Sequence, residues 1–233
     1  MTYKKHILML WCLLFVGNTT VFANHRAYFG NGWSRAERYV DEHHTEWKRV
    51  FDEFGVNARL AEAVIFPELL RYSMWQDEIE TAAVNVFYVT GGKEKADFSI
   101  GRFQMKPSFA EDVEREWNNS PLAKEYGFIF NLLDNAEARR SRIHRLATIK
   151  GQCRYLAIFL CLQQLRNPWL SKKSDTIQLR YLATAYNYSH TAPSKDILSR
   201  QNRCTFHTDV IKIHSTRFFC YADIATEFFV SKH

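Results

Sequence analysis

Cysteine is scarce in this chain, five in 233 residues, and no two of them form a CxxC pair. Zinc ligation at the usual spacing and thioredoxin-type chemistry are therefore poor fits. Internal repeats, low-complexity tracts and strand-rich stretches are also missing, which argues against solenoid, linker and sheet architectures. There are 31 Lys and Arg against 25 Asp and Glu, yet they form no basic stripe and no nucleic-acid motif. Nucleic acid is thus not an expected partner. Histidine supplies no convincing metal set. His43 and His44 are neighbours that point to different helix faces, and His207 and His214 have no third ligand at suitable spacing. Neither metal nor cofactor is expected.

What is present begins with a leader. Lys4 and Lys5 give a basic start, Ile7 to Val16 is apolar, and Val21-Phe22-Ala23 offers a small residue for cleavage. Residues 1–23 read as a secretory signal peptide cut after Ala23, leaving 24–233 as one domain in the periplasm. An uncleaved anchor is the alternative, but the apolar run is shorter than the ~20 residues a spanning helix needs. Loss of the leader leaves 29 Lys and Arg against 25 acids, a net charge of +4. That modest excess is chiefly a solubility property and is compatible with an anionic wall polymer. Four cysteines stay in the mature chain. Cys153 and Cys161 lie eight apart on one expected helix and cannot bridge there, so Cys204–Cys220 is the expected pair, with buried free thiols as the alternative.

The periodicity is helical throughout, so the expected fold class is all-α. Ser34 with Glu37 forms a capping box for a helix over 35–54, and Gly55 ends it. Asn57 caps the next helix, 58–72, which carries Pro67 and Glu68. That proline either bends the helix or breaks it before the acid. Residues 78–90 form a further helix ended by Gly91-Gly92. Ser108 and Glu111 form a capping box for a helix to about Trp117, and Ser120-Pro121 opens a short one. From Asn135 the pattern runs helical to Leu165, with Gly151 a kink, and 155–162 is apolar on all faces, as a buried central helix is. Helices follow at 175–189, 194–200 and 216–230.

Two segments carry the chemistry. Glu68 stands in the apolar run Ala63-Val64-Ile65-Phe66-Pro67-Glu68-Leu69-Leu70. An acid held among hydrophobes stays protonated near neutral pH, as a general acid must. The bland reading is a surface carboxylate on an amphipathic helix. The second segment, Phe98-Ser99-Ile100-Gly101-Arg102-Phe103-Gln104, is polar and centred on glycine, which suits close approach of a sugar chain to backbone and amide groups. Together they point to glycoside chemistry.

With a third segment they resemble the lysozyme-like lytic transglycosylases, the family of soluble and goose-type-lysozyme-like enzymes that act on peptidoglycan. The matching positions are Phe66-Pro67-Glu68-Leu69, then Gly101-Arg102-Phe103-Gln104 followed by Pro107 and Ala110, then Ala185-Tyr186-Asn187-Tyr188-Ser189. The family has Ser where Leu69 stands, Leu-Met where Arg102-Phe103 stands, and Gly where Ser189 stands. The gap from Glu68 to Gly101 is also longer, so this is a divergent branch.

The resemblance implies a lysozyme-like helical domain that cleaves the β-1,4 bond between N-acetylmuramic acid and N-acetylglucosamine. Glu68 would protonate the glycosidic oxygen and then act as base while a 1,6-anhydro ring closes. Gly101 and Gln104 would line the glycan cleft, with Phe103 packed beside them. Tyr186 would hold Glu68 by a hydrogen bond, Asn187 would order that wall, and Ser99 would face the N-acetyl group.

Two alternatives stay open. A hydrolytic muramidase would pair Glu68 with Asp77 or Asp97, since such hydrolases set two carboxyls roughly 5–9.5 Å apart. Glu78 and Glu80 read as a solvated helix face. A wall-binding or envelope-assembly scaffold, with an envelope protein as partner, would keep the fold without the activity, and a large exposed apolar patch would favour it. Tyr186-Asn187 would then be only a helix end, and His190 a loop histidine.

Overall fold

In the computed structural model the described residues are 24–74, 81–209 and 213–232. The expected signal peptide, Asp77, Glu78 and Glu80 lie outside them. The helices are α1 (His25–Phe29), α2 (Asn31–Glu53), α3 (Ala58–Met74), α4 (Thr81–Gly91), α5 (Pro107–Asn119) and α6 (Pro121–Glu125). They continue as α7 (Ala136–Ala147), α8 (Ile149–Arg166), α9 (Asp175–Tyr188), α10 (Ser194–Arg200) and α11 (Tyr221–Ser231). One antiparallel strand pair, β1 (Cys204–Phe206) and β2 (Phe219–Cys220), is the only sheet among the described residues. The fold is all-α. No helix among the described residues is long and apolar enough to cross a membrane.

The centre of the core is α3. It buries an unbroken run from Leu60 to Leu70, and α2, α8, α9 and α11 pack around it. Asn57 caps it by accepting from the Leu60 amide at 3.2 Å, and the helix continues through Pro67. Neighbouring helices thus hold a turn that has lost one donor. Phe66 stacks on Phe228 of α11 at 3.9 Å and meets Trp33 of α2 edge-on at 4.7 Å.

Several boundaries differ from the periodicity. Helix α2 starts before Ser34, because Gly30 turns the chain at φ +48° and Trp33 is already in the core. Ser34 is therefore inside the helix, and Glu37 pairs with Arg26 and Lys232. His43 and His44 are half-buried: His43 lies between the Tyr39 and Trp47 rings, and His44 meets buried Glu62 at 2.5 Å. The long helix expected from Asn135 is two helices. Thr148 breaks it and caps α8 through the Gly151 amide at 3.2 Å. Gly151 serves close approach: a Cβ there would lie 2.0 Å from the Arg145 carbonyl oxygen.

Helix α5 begins at Pro107, so Ser108 lies inside it and is held by Asp97, while Glu111 accepts from the Tyr88 hydroxyl. The last helix begins at Tyr221, because 219–220 form β2. Cys204 and Cys220 are opposite each other in the strand pair but both are thiols, and Cys220 donates to the Gln201 carbonyl. Cys153 and Cys161 are thiols as well.

A buried ionic network ties α4, α5, α7 and α8 together. Glu114 of α5 accepts from Arg142 at 2.9 and 2.6 Å, from Arg145 at 2.7 Å and from the Tyr155 hydroxyl. Arg142 also donates to Tyr88 at 2.5 Å. Such a network is satisfied on every side, which is the condition for keeping charges in a core.

Candidate functional site

The segment 100–105 is a tight turn closed by the Ile100 and Met105 backbones, whose paired hydrogen bonds are 2.8 and 3.2 Å. Gly101 adopts φ +68°, and Gln152 of α8 fills the space a side chain would need. The Gln152 amide is buried and bridges the turn to α7: its oxygen accepts from the Phe103 amide at 2.8 Å and its nitrogen donates to Leu146 at 2.6 Å. Gln104 takes φ +53° and folds its own amide back onto the Gly101 carbonyl at 2.9 Å. Arg102 lies over the Tyr39 and Tyr72 rings at 4.7 and 4.1 Å, clamping the turn against α2 and α3.

Tyr186 of α9 joins this turn to the rest of the site. Its hydroxyl donates to the Phe103 carbonyl at 2.6 Å, so the hydrogen bond expected to Glu68 goes to the turn instead. The Phe103 ring is fully buried edge-on against Trp47 at 5.2 Å, so it packs into the core beneath the turn. Ser99 is exposed on the approach to the turn.

Glu68 is 5% exposed. Burial pushes its carboxyl up to about 7, and the neighbouring Arg71 pulls the other way. Arg71 holds one oxygen, Oε2, at 2.9 Å. Among the described residues, Oε1 has no hydrogen-bond partner. Arg71 is itself fixed by the His207 carbonyl at 2.9 Å and by the face of Phe206 at 4.2 Å. Two phenols share the surroundings. Burial raises Tyr186 and Tyr221 well above their ordinary value, and the charge of Glu68 adds to both shifts. The Tyr221 hydroxyl is buried without a hydrogen-bond partner among the described residues.

Tyr221 also lines a polar cleft of about 100 Å³ with Thr184, Asn187, Arg200, Arg203 and Thr205. Asn187 lines the cleft, whereas Glu68 and Tyr186 do not; their charges act on the Tyr221 phenol that does. Comparison with family models, with curated proteins and with solved structures finds no match.

Chemically, this is a carboxyl group half protonated near neutrality, with one oxygen unpartnered among the described residues and two buried phenols nearby, one of which lines a polar cleft. A second buried acid, Glu62, is also raised by burial, but His44 binds it and it lines no part of this cleft. Asp97 gives both oxygens to Ser108, at 2.8 and 2.7 Å, so it caps α5. No group of three His, Cys, Asp or Glu suited to a metal forms among the described residues.

Two participants escaped the sequence reading. Arg71 is three residues after Glu68, one helical turn on, and that spacing could have revealed it. Tyr221 sits 153 positions beyond Glu68 in the numbering, inside a run of aromatic residues, with no local signal.

Proposed function

We propose that the chain is a lysozyme-like peptidoglycan lytic transglycosylase, exported to the periplasm, with Glu68 as its only acid and base. The observation that carries this reading is the Glu68 carboxyl: buried, raised to about 7, and with one oxygen unpartnered among the described residues. Convergence adds support. Of the three segments that resemble the family's motifs, Tyr186 of the third bonds Phe103 of the second and feels the charge of Glu68 in the first.

In the reaction, protonated Glu68 donates to the glycosidic oxygen and the bond to C1 of N-acetylmuramic acid breaks. The carboxylate then accepts the proton of the C6 hydroxyl as that oxygen attacks C1. A 1,6-anhydro ring closes, no water is consumed, and Glu68 ends protonated as it began. A group with a value near the working pH can serve in both directions. The muramidase alternative loses Asp97 to its capping role, and Asp77 lies outside the described residues. A non-catalytic scaffold is the second reading. The observation in its favour is the loop after α6, where Ile129, Leu132 and Leu133 are exposed.

The test is digestion of purified peptidoglycan, with soluble products read by mass spectrometry beside a Glu68→Gln control. The expected products are lighter by one water than hydrolytic ones, and the variant should release them at least ~10²-fold more slowly. Reducing-end products would point to a muramidase. No products from folded wild-type protein would favour the scaffold.

A further inference from the structure

The cleft beside Tyr221 has a charge pattern that general acid chemistry at Glu68 does not require. Arg200, at the end of α10, and Arg203, just before β1, both line it, and none of its lining side chains is acidic. The nearest acid in sequence is already taken, because Arg180 holds Asp223 at 2.6 Å. Arg180 also bonds the Gln201 carbonyl and Asn202, which anchors the turn carrying the two lining arginines. Arg200 lies over the Tyr188 ring at 3.9 Å, so the side chain has a fixed place before anything binds. Among the described residues neither Arg200 nor Arg203 has a carboxylate partner. The remaining lining groups supply neutral hydrogen bonds: Thr184, Asn187, Thr205 and the unpartnered, buried hydroxyl of Tyr221.

Two guanidinium groups without a carboxylate partner among the described residues, one set over an aromatic ring, match a planar carboxylate. We propose that this cleft is a carboxylate-binding subsite, in which Arg200 and Arg203 grip an anionic group of the glycan strand while the sugar backbone passes Glu68. The inference rests on the glycan-cleaving reading above and extends it to substrate choice. Two groups of peptidoglycan carry this chemistry. One is the lactyl carboxylate of N-acetylmuramic acid, free only where the stem peptide has been removed. The other is a carboxylate of the stem peptide itself. Tyr221 belongs to both the subsite and the surroundings of Glu68, so an occupied subsite places the strand beside the acid.

Three tetrasaccharide probes separate the possibilities in calorimetric titrations at low salt, using full-length protein with Glu68→Gln to prevent turnover. They are chitotetraose, a stem-free strand of alternating N-acetylglucosamine and N-acetylmuramic acid, and the same strand with stem tripeptides. At least one carboxylate-bearing probe should bind about tenfold tighter than chitotetraose, the effect of one well-made charged hydrogen bond. The tighter of the two identifies the source. Adding Arg200→Gln and Arg203→Gln together should remove that preference and leave chitotetraose affinity within about twofold. Arg203→Gln alone, at an exposed position, should lose at least about threefold, and keeps the test valid if the double variant fails to fold.

A preference that is absent, or that survives in the arginine variants, overturns the subsite. That outcome together with anhydro products from wild-type protein overturns the subsite alone. Arginine-dependent binding without wall digestion upholds the subsite and overturns the reaction.

Discussion

At the scale of single residues, the behaviour of Glu68 is set by a competition. Desolvation disfavours the carboxylate, while Arg71 favours it, and burial wins with a resulting value of about 7. The same imbalance bears on stability. In the unfolded chain the carboxyl releases its proton near 4.5, whereas in the folded protein it keeps it to about 7. At this group the folded state therefore binds more protons across the window, and the Glu68 contribution to stability falls as pH rises from about 4.5 to 7. Glu68→Gln removes the titration. Relative to wild type it should gain roughly 2–3 kcal/mol between pH 5 and pH 8, measured by urea denaturation at both. An unchanged difference between the two proteins would mean that Glu68 titrates normally. A carboxyl among hydrophobes was legible from the neighbouring residue types alone. Its partners were not equally so: Arg71 is a local neighbour, but Tyr221 reaches the site only through the packing of α11 on α3.

At the scale of elements, the turn at 100–105 shows how this chain accommodates residues that differ from the transglycosylase pattern it resembles. Arg102 finds two rings, Tyr39 and Tyr72, on adjacent helices. Leu69 is buried in the core, and Ser189 has φ −171°, an extended backbone that has no need of glycine. Gly101 is different, because its φ is +68° and Gln152 occupies the place of a side chain. Gly101→Ala should cost about 2 kcal/mol or more in a urea melt, from backbone strain and from displacement of Gln152. A loss under about 0.5 kcal/mol would show the turn to be dispensable. The helices around it were largely readable, because apolar spacing marks a helix wherever one face is buried. Boundaries were missed where long-range contacts decide them. Thr148 splits an unbroken helical pattern, and Asp97 displaces Glu111 as the partner of Ser108. A role carried by side-chain direction was also missed, since sequence could not say that the Tyr186 hydroxyl turns to the Phe103 carbonyl.

Across the whole molecule, two kinds of core hold the fold. Around α3 it is aromatic and aliphatic, whereas between α5 and α7 it is ionic. Glu114 is fully buried and neutralises Arg142 and Arg145 at once. Glu114→Ala leaves the buried Arg142 charge uncompensated and should destabilise the protein by roughly 3–5 kcal/mol, seen as a lower urea midpoint. A cost below about 1 kcal/mol would mean that water replaces the carboxylate freely. Such a network is invisible to periodicity, because its members are charged residues and tyrosines on four helices whose faces meet only after folding. The candidate site draws on both parts of the molecule: its acid comes from α3, while its turn is fixed by Gln152 at the start of α8. The measurement that tests the central claim most directly is a carbon-13 NMR titration of the glutamate side-chain carboxyls, with Glu68→Gln to assign the Glu68 signal. One resonance titrating near 7 and missing in the variant is the predicted result. Titration of the Glu68 signal at an ordinary glutamate value would contradict the account, because the proposed acid would then be ionised at neutral pH.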